Sequence, residues 1–263
     1  MLSLQNVNFV SLKKVIYTVL TGNYDRLEQP RVVDSDYDYV CFTDRFGEDV
    51  VWQLREIPFE GSPILRARWA KMHPHLLFPE YEFSVFMDAN LCIVGPEFYQ
   101  KTEAAIQSGV LLAEVQHPQR DCVWGELRYC YLKDKVSTHT AVSWYRALKK
   151  MEMPRHAGLA ETNILLRAHM DPQVVALDNL WWELLLQSGG TRDQLAFTPA
   201  LYRLGIQPSL LFGPGQNARN VDYVHYVNHP STGRENVPGK LNWSNVKYNL
   251  RLLWRKAVLL CLK

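Results

Sequence analysis

The chain has 263 residues, 47% of them hydrophobic and 21% charged, and its 29 basic and 27 acidic residues give a net charge of +2. That balance excludes a disordered or fibrous chain and allows one large domain with a substantial core. No uninterrupted apolar stretch of about 18 residues occurs, so no segment is expected to span a membrane, and no nucleic-acid partner is expected.

The first apolar run, residues 15–20, follows Lys13-Lys14. It is too short for a secretory leader and lacks a small-residue cleavage site. It reads instead as a strand ending in the turn-rich Thr21-Gly22-Asn23-Tyr24-Asp25. A second strand is expected over residues 39–44 and a third over residues 50–57. Ser62 as N-cap and Pro63 at the first helical position then open a helix that carries Arg66, Arg68 and Lys71 and stops near His73-Pro74. Residues 83–88 form an apolar run of the kind found in a buried parallel strand, and lead into Asp88-Ala89-Asn90. Residues 96–108 read as a helix closed by Gly109, and residues 110–115 as a strand. The polar cluster His117-Pro118-Gln119-Arg120-Asp121 with Glu126 is expected to be irregular. Residues 135–150 read as a long helix, 163–166 as a short strand and 177–187 as a helix. Thr191 and Gln194 stand in capping-box register at the start of another helix. His225 and His229 fall on the same side of an expected strand.

Alternating strands and helices predict an α/β fold with a mostly parallel sheet. The five cysteines, Cys41, Cys92, Cys122, Cys130 and Cys261, are odd in number and show no metal-site spacing. Cys41 and Cys92 sit in apolar runs, where thiols behave as small core residues, and this favours a reducing compartment.

No acidic residue follows Glu235, whereas Lys240, Lys247, Arg251, Arg255, Lys256 and Lys263 do. Residues 1–235 are therefore expected to form the α/β domain, and 236–263 a basic, amphipathic C-terminal helix. Lys247, Arg251 and Arg255 recur every four residues, beside Leu250, Leu253 and Trp254. A Trp-bearing apolar face among basic residues suits an anionic membrane surface. The alternative is a helix docked on the body with its basic stripe in water.

The chemistry concentrates where strands end. In open α/β sheets ligands bind at the carboxyl ends of the strands, and Thr21–Asp25, Asp44 and Asp88-Ala89-Asn90 all lie there. Asp88 and Asn90 offer an oxygen pair suited to a hard divalent cation. His225 or His229 can complete the set for a metal such as Mn²⁺. Arg66, Arg68 and Lys71 carry the charge to hold a diphosphate. Glu161 and Asp193 are candidates for carboxylates that face a sugar or an acceptor. Trp181-Trp182 offers a ring for sugar stacking, although one of two adjacent Trp on a helix faces the core.

Taken together, Ile16-Tyr17-Thr18, Thr21-Gly22-Asn23-Tyr24-Asp25, Asp38 to Asp44, Arg66-x-Arg68-Trp69-Ala70-Lys71-x-His73-Pro74, Met87-Asp88-Ala89-Asn90, His117-Pro118-x-Arg120-Asp121-Cys122, Gly158-Leu159-x-Glu161-Thr162-Asn163, Trp181-Trp182-Glu183 and Arg192-Asp193-Gln194 to Phe197 form a pattern. It resembles a glycosyltransferase-like family first catalogued as a domain of unknown function, with plant mucilage-related and bacterial polysaccharide-locus members. The resemblance spans roughly residues 14–230.

The resemblance implies a divergent, Rossmann-like GT-A fold, a nucleotide-sugar donor and a DxD-type motif with Mn²⁺ or Mg²⁺. Asp88 matches the first Asp of that motif, and Asn90 departs from the second. His229 matches a late metal-binding His, with His225 as competitor. Asp193-Gln194 resembles an Asp-Gln pair at the sugar pocket. On this reading Asp88, Asn90 and His229 hold the metal. Thr21, Tyr24, Asp44, Arg66 and Lys71 hold the nucleotide and its diphosphate, while Glu161, Asp193 and Gln194 face the transferred sugar. The expected activity is transfer to a glycan or lipid-linked glycan in polysaccharide biosynthesis, in the cytoplasm at the inner face of the membrane. The rival readings are a non-catalytic sugar-nucleotide or polysaccharide binder and a metal-dependent lipid amide hydrolase.

Overall fold

The structure is a computed structural model that describes residues 12–22, 25–189, 192–228 and 251–258. Its first half contains strands β1 (Lys14–Leu20), β2 (Tyr37–Thr43) and β3 (Gln53–Arg55), helices α1 (Pro63–Met72) and α2 (Pro74–Leu77), and strands β4 (Phe83–Met87) and β5 (Leu91–Ile93). There follow α3 (Glu97–Gln107), β6 (Leu112–Gln116), α4 (Val123–Leu132), α5 (Thr138–Lys150), β7 (Ala160–Arg167), α6 (Pro172–Gln187), α7 (Asp193–Leu204), β8 (Ser209–Leu210) and β9 (Val224–Tyr226). Residues 251–258 are helical.

Seven strands form one sheet in the order β3-β2-β1-β4-β7-β6-β8, and β5 pairs with β9 in a separate ribbon. In the seven-stranded sheet pairing is parallel except at β7, which runs antiparallel to both β4 and β6; the ribbon is antiparallel. This is the mixed, mostly parallel α/β sheet that the sequence pattern predicts. One face packs Tyr17, Phe42, Phe86 and Leu165 against α1 and α4 to α7. The other packs Ile16, Cys41, Val85 and Ile164 against α3 and the β5–β9 ribbon. Strands buried on both faces are apolar at most positions, which is why β1, β2 and β4 stand out as mainly apolar runs.

Local signals explain several boundaries. The Ser62 hydroxyl accepts from Leu65 N with Pro63 at the first helical position, as expected, and Gly109 adopts a left-handed φ of 77° just beyond α3. Other expectations are corrected. Residues 123–132 form helix α4, not irregular chain, because Glu126 turns inward to ion partners rather than to water. The third strand shrinks to Gln53–Arg55 at the sheet edge. Helix α6 starts five residues earlier than the apolar pattern suggests, at Pro172, with Asp171 capping Gln173 N. Helix α7 has Arg192 as N-cap without a side-chain cap, and Gln194 Nε2 donates to Ala160 O; Thr191, the other half of the expected capping box, lies outside the described residues.

The order of strands creates the crevice. The strand order reverses around β1, with β2 and β3 on one side and β4 on the other, which is a topological switch point. The carboxyl ends of β1, β2 and β4 and the amino end of β7 meet at one edge. A bulge sharpens this edge: Glu114 faces Leu165 and Gln116 faces Ala160, so two steps along β6 answer five along β7. Such bulges re-aim side chains, and the residues re-aimed here include Glu161, Thr162 and Asn163.

Candidate active site at the switch point

The site is built around a buried ion pair. Lys71, in the last turn of α1, places Nζ 2.6 Å from Asp193 Oδ2, at the start of α7. Arg68 Nη1 reaches the same oxygen at 3.2 Å and Thr162 Oγ1 at 3.3 Å. All three donors thus converge on Oδ2. Arg68 and Lys71 lie three residues apart on α1 and share the face toward Asp193. Burial alone would raise the Asp193 pKa, but Arg68 and Lys71 outweigh it and hold the carboxyl well below its usual range. Trp181 Nε1 donates to Asp193 O at 2.8 Å and fixes the backbone of that turn.

Asp88 follows β4 on the same edge. Its N–H donates to Asn163 O at 2.9 Å, and its Oδ1 is 3.9 Å from Lys71 Nζ. The Asp88 side chain is 41% exposed, whereas that of Lys71 is 2% exposed, so the carboxylate faces the crevice and the ammonium lies beneath it. Lys71 Nζ also stands 4.7 Å from the Phe86 ring centroid and 5.7 Å from that of Trp181, an apolar and aromatic seat for the cation. Glu161 pairs with Arg219, whose guanidinium stacks 4.2 Å from the Tyr226 ring centroid. Burial, and to a lesser degree the Asp88 charge, raises the Glu161 pKa above the usual carboxylate range. Glu161 Oε2 and both amide atoms of Asn163 are buried without a hydrogen-bond partner.

The remaining candidates divide. Asn90 is buried, and its Nδ2 donates to Val227 O at 2.8 Å, so the amide ties the strand end to the chain after β9. Thr21 Oγ1 donates to Pro63 O at 2.9 Å, and Asp44 accepts from Gly22 N at 2.9 Å. Gly22 has φ 62°, a turn that turns its N–H toward Asp44. Thr21, Asp44 and the start of α1 are therefore one cluster. Arg66, one turn into α1, lines a cavity of about 620 Å³ with Glu56, Ile57, Phe59 and Glu60. Gln194 holds α7 to β7 through Ala160 O. His225 lies on β9 opposite Cys92, exposed. Tyr24 and His229 lie outside the described residues. Among the described residues no group of three or more His, Cys, Asp or Glu comes together as a metal cluster.

Trp181 does not offer a sugar platform: it is fully buried and packs on Phe197. Trp182 packs edge-on against Phe59 and His73. Three contributors carry no role in the sequence pattern. Thr162 is one step from Glu161 and reaches Asp193 from the part of β7 where its register with β6 shifts. Arg219 comes from a loop with no pattern. Arg120 donates to Glu126 at 2.6 Å, and Glu126 lies 3.8 Å from Arg192, beside the pocket turn.

Residues 44–225 match the model of the TOD1/MUCI70 glycosyltransferase-like domain. The chain belongs to this family. No curated protein matches it. Among solved structures, the apo form of the WbbM bifunctional glycosyltransferase is similar over 78% of this chain, with 11% identity and a TM-score of 0.39. The match takes in 39% of the WbbM chain, so this chain spans well under half of that structure's length.

Proposed function

We propose that this member of the glycosyltransferase-like family transfers a sugar from a nucleotide-sugar to a glycan or lipid-linked glycan. The observation that carries the reading is the convergence of Lys71, Arg68 and Thr162 on one oxygen of Asp193, 3.9 Å from Lys71 to Asp88, at the switch point. With Oδ2 held by three donors, Oδ1 is the acceptor for a sugar hydroxyl. The fixed negative charge at Asp193 also favours positive charge that develops on the sugar as the bond to the diphosphate breaks. Arg68 faces the leaving diphosphate with the Lys71 charge beneath it, and the Thr21–Asp44 cluster with Tyr24 and Arg66 holds the nucleotide. Glu161, whose pKa burial raises and its partner Arg219 lowers, faces the acceptor side together with Gln194.

The donor chemistry at Asp88 fits Mg²⁺ or Mn²⁺: a half-exposed carboxylate at a strand end, with an amide two residues on. Asp88, Asn90 and His229 would hold the ion, and it would neutralise charge on the departing diphosphate. Asn90 bonds to Val227, two residues before His229 in the chain.

The proposed location is an anionic membrane surface on the cytoplasmic side, and what supports the membrane part is the exposed apolar pair of the C-terminal segment. Leu253 and Trp254 are 62% and 64% exposed. Among the described residues no helix is long and apolar enough to cross a membrane.

The test is a thermal-shift panel of UDP, GDP, ADP and CDP with and without Mn²⁺, followed by product analysis with the matching donors. A ligand of the native state must raise its apparent stability. Metal-dependent stabilisation by one diphosphate, and transfer from its sugar conjugate, is the expected result. Binding without turnover across acceptors would leave a sugar-nucleotide binder, and no binding at all would sink the reading.

A further inference from the structure

The residues beneath Lys71 form a second buried ionic network that the proposed chemistry does not use. Helix α1 ends at Met72, and its last carbonyls lack partners within the helix. The carbonyl of Lys71 finds two. Tyr17 Oη, from β1, donates to it at 2.8 Å, and Arg167 Nη2, from β7, donates at 2.9 Å. Arg167 Nη2 also donates to Tyr17 Oη, and its Nη1 donates to Asp178 Oδ1 of α6 at 2.9 Å. Arg167, Tyr17 and Asp178 are all 0% exposed.

This is a costly way to close a helix. A buried ion pair is often matched or bettered in stability by apolar residues of the same volume. Here the pair is also incomplete, since Arg167 Nε and Asp178 Oδ2 are buried without partners. Tyr17 alone gives the carbonyl one bond, and water or a neutral donor serves at most helix ends. The network does something an apolar core would not: it fixes the backbone of one residue from two strands at once. That residue is Lys71, whose ammonium must lie 2.6 Å from Asp193 and 3.9 Å from Asp88. Shifts of about 1 Å at such a group are enough to change a reaction rate by about a hundredfold.

We propose that Arg167, braced by Asp178 and Tyr17, is a positioning residue that sets the Lys71 ammonium at the floor of the crevice. Its functional consequence rests on the reading of Lys71 as a donor-site residue; the positioning itself does not.

The experiment reads Lys71 directly. In protein labelled with ¹⁵N-lysine, the native Lys71 ammonium should give an exchange-protected NMR signal, because it is buried and bonded to Asp193 and Thr162; its absence from Lys71→Arg assigns it. The double variant Arg167→Met/Asp178→Leu should keep or raise its thermal midpoint, yet lose or shift that signal. Its affinity for UDP or GDP, whichever the native protein binds, should fall about tenfold. Tyr17→Phe, which introduces no new charge, should move the signal in the same direction even if the double variant fails to fold. An unchanged Lys71 signal in either folded variant, or no protected signal in the native protein, overturns the proposal. A moved signal with unchanged nucleotide affinity leaves the positioning intact and removes Lys71 from the donor site.

Discussion

Lys71 and Asp193 are 122 positions apart in the chain and meet in the crevice at 2.6 Å, a contact between two nearly fully buried groups. Removing one partner of such a pair strands the other's charge away from water. Lys71→Ala is expected to cost about 3–5 kcal/mol in urea unfolding. Lys71→Met/Asp193→Leu should be closer to the native protein than Lys71→Ala is. A double variant no more stable than Lys71→Ala would mean that the pair is not desolvated.

Asp193→Asn keeps the shape of the side chain and removes its charge. A large fall in transfer rate with little change in nucleotide binding is expected, since the carboxylate acts on charge that appears only in the transition state. Steady-state kinetics beside nucleotide titration separates the two. Full activity would return Asp193 to a helix N-terminal charge with a structural role.

Asp88 is 41% exposed at a strand end and contributes little to packing. Asp88→Ala should leave the thermal midpoint of the apoprotein nearly unchanged while abolishing the Mn²⁺ dependence of nucleoside diphosphate binding. Equal affinity and equal metal dependence in the variant would place the cation elsewhere.

Glu114, on β6, supplies a pH test of stability. Burial pushes its pKa up to about 8, and its Oε2 has no hydrogen-bond partner. In the unfolded chain the group titrates near about 4.3. Between these values the native state holds a proton that the unfolded state has released, so this contribution to stability is present below the lower value and is lost as pH rises toward 8. Glu114→Gln should remove on the order of 2–4 kcal/mol of that dependence. Unfolding at pH 5.5 and pH 8.5 checks it, and parallel pH profiles for the two proteins would contradict it.

The tail prediction follows from how residues 251–258 sit. Arg255 is not in water with the rest of the expected basic stripe. It donates to Tyr131 O and Val136 O, pairs with Asp134 and stacks on Tyr131, closing the end of α4, while Val258 packs on the core. Leu253 and Trp254 point outward. Arg255→Ala should therefore lower stability by about 1 kcal/mol. Leu253→Ala/Trp254→Ala should leave stability alone and weaken sedimentation with anionic liposomes at low salt, where each basic residue near the surface adds about 1 kcal/mol. Liposome binding that ignores both salt and the double variant would end the membrane proposal.

Much of the sheet was legible in the chain because burial on both faces leaves a local record. β1, β2 and β4 are mainly apolar runs that stop at Thr21, Asp44 and Asp88, and Ser62-Pro63 announces α1 by capping chemistry alone. The polar strand ends could be placed on one crevice, since parallel strands share a carboxyl edge. Helix α4 left no such record: Gly125 and the inward Glu126 break its pattern, and Glu126 is tolerable there only because Arg120 comes to it. Tertiary structure also decided that Trp181 is core, that Arg255 caps another helix, and that Gln194 bonds to β7. The pairing of Lys71 with Asp193, and of Glu161 with Arg219, was beyond any local pattern. A residue's tendency to be buried is written in its neighbours along the chain, whereas the partner of a buried charge is set by which strands lie side by side and where one of them bulges.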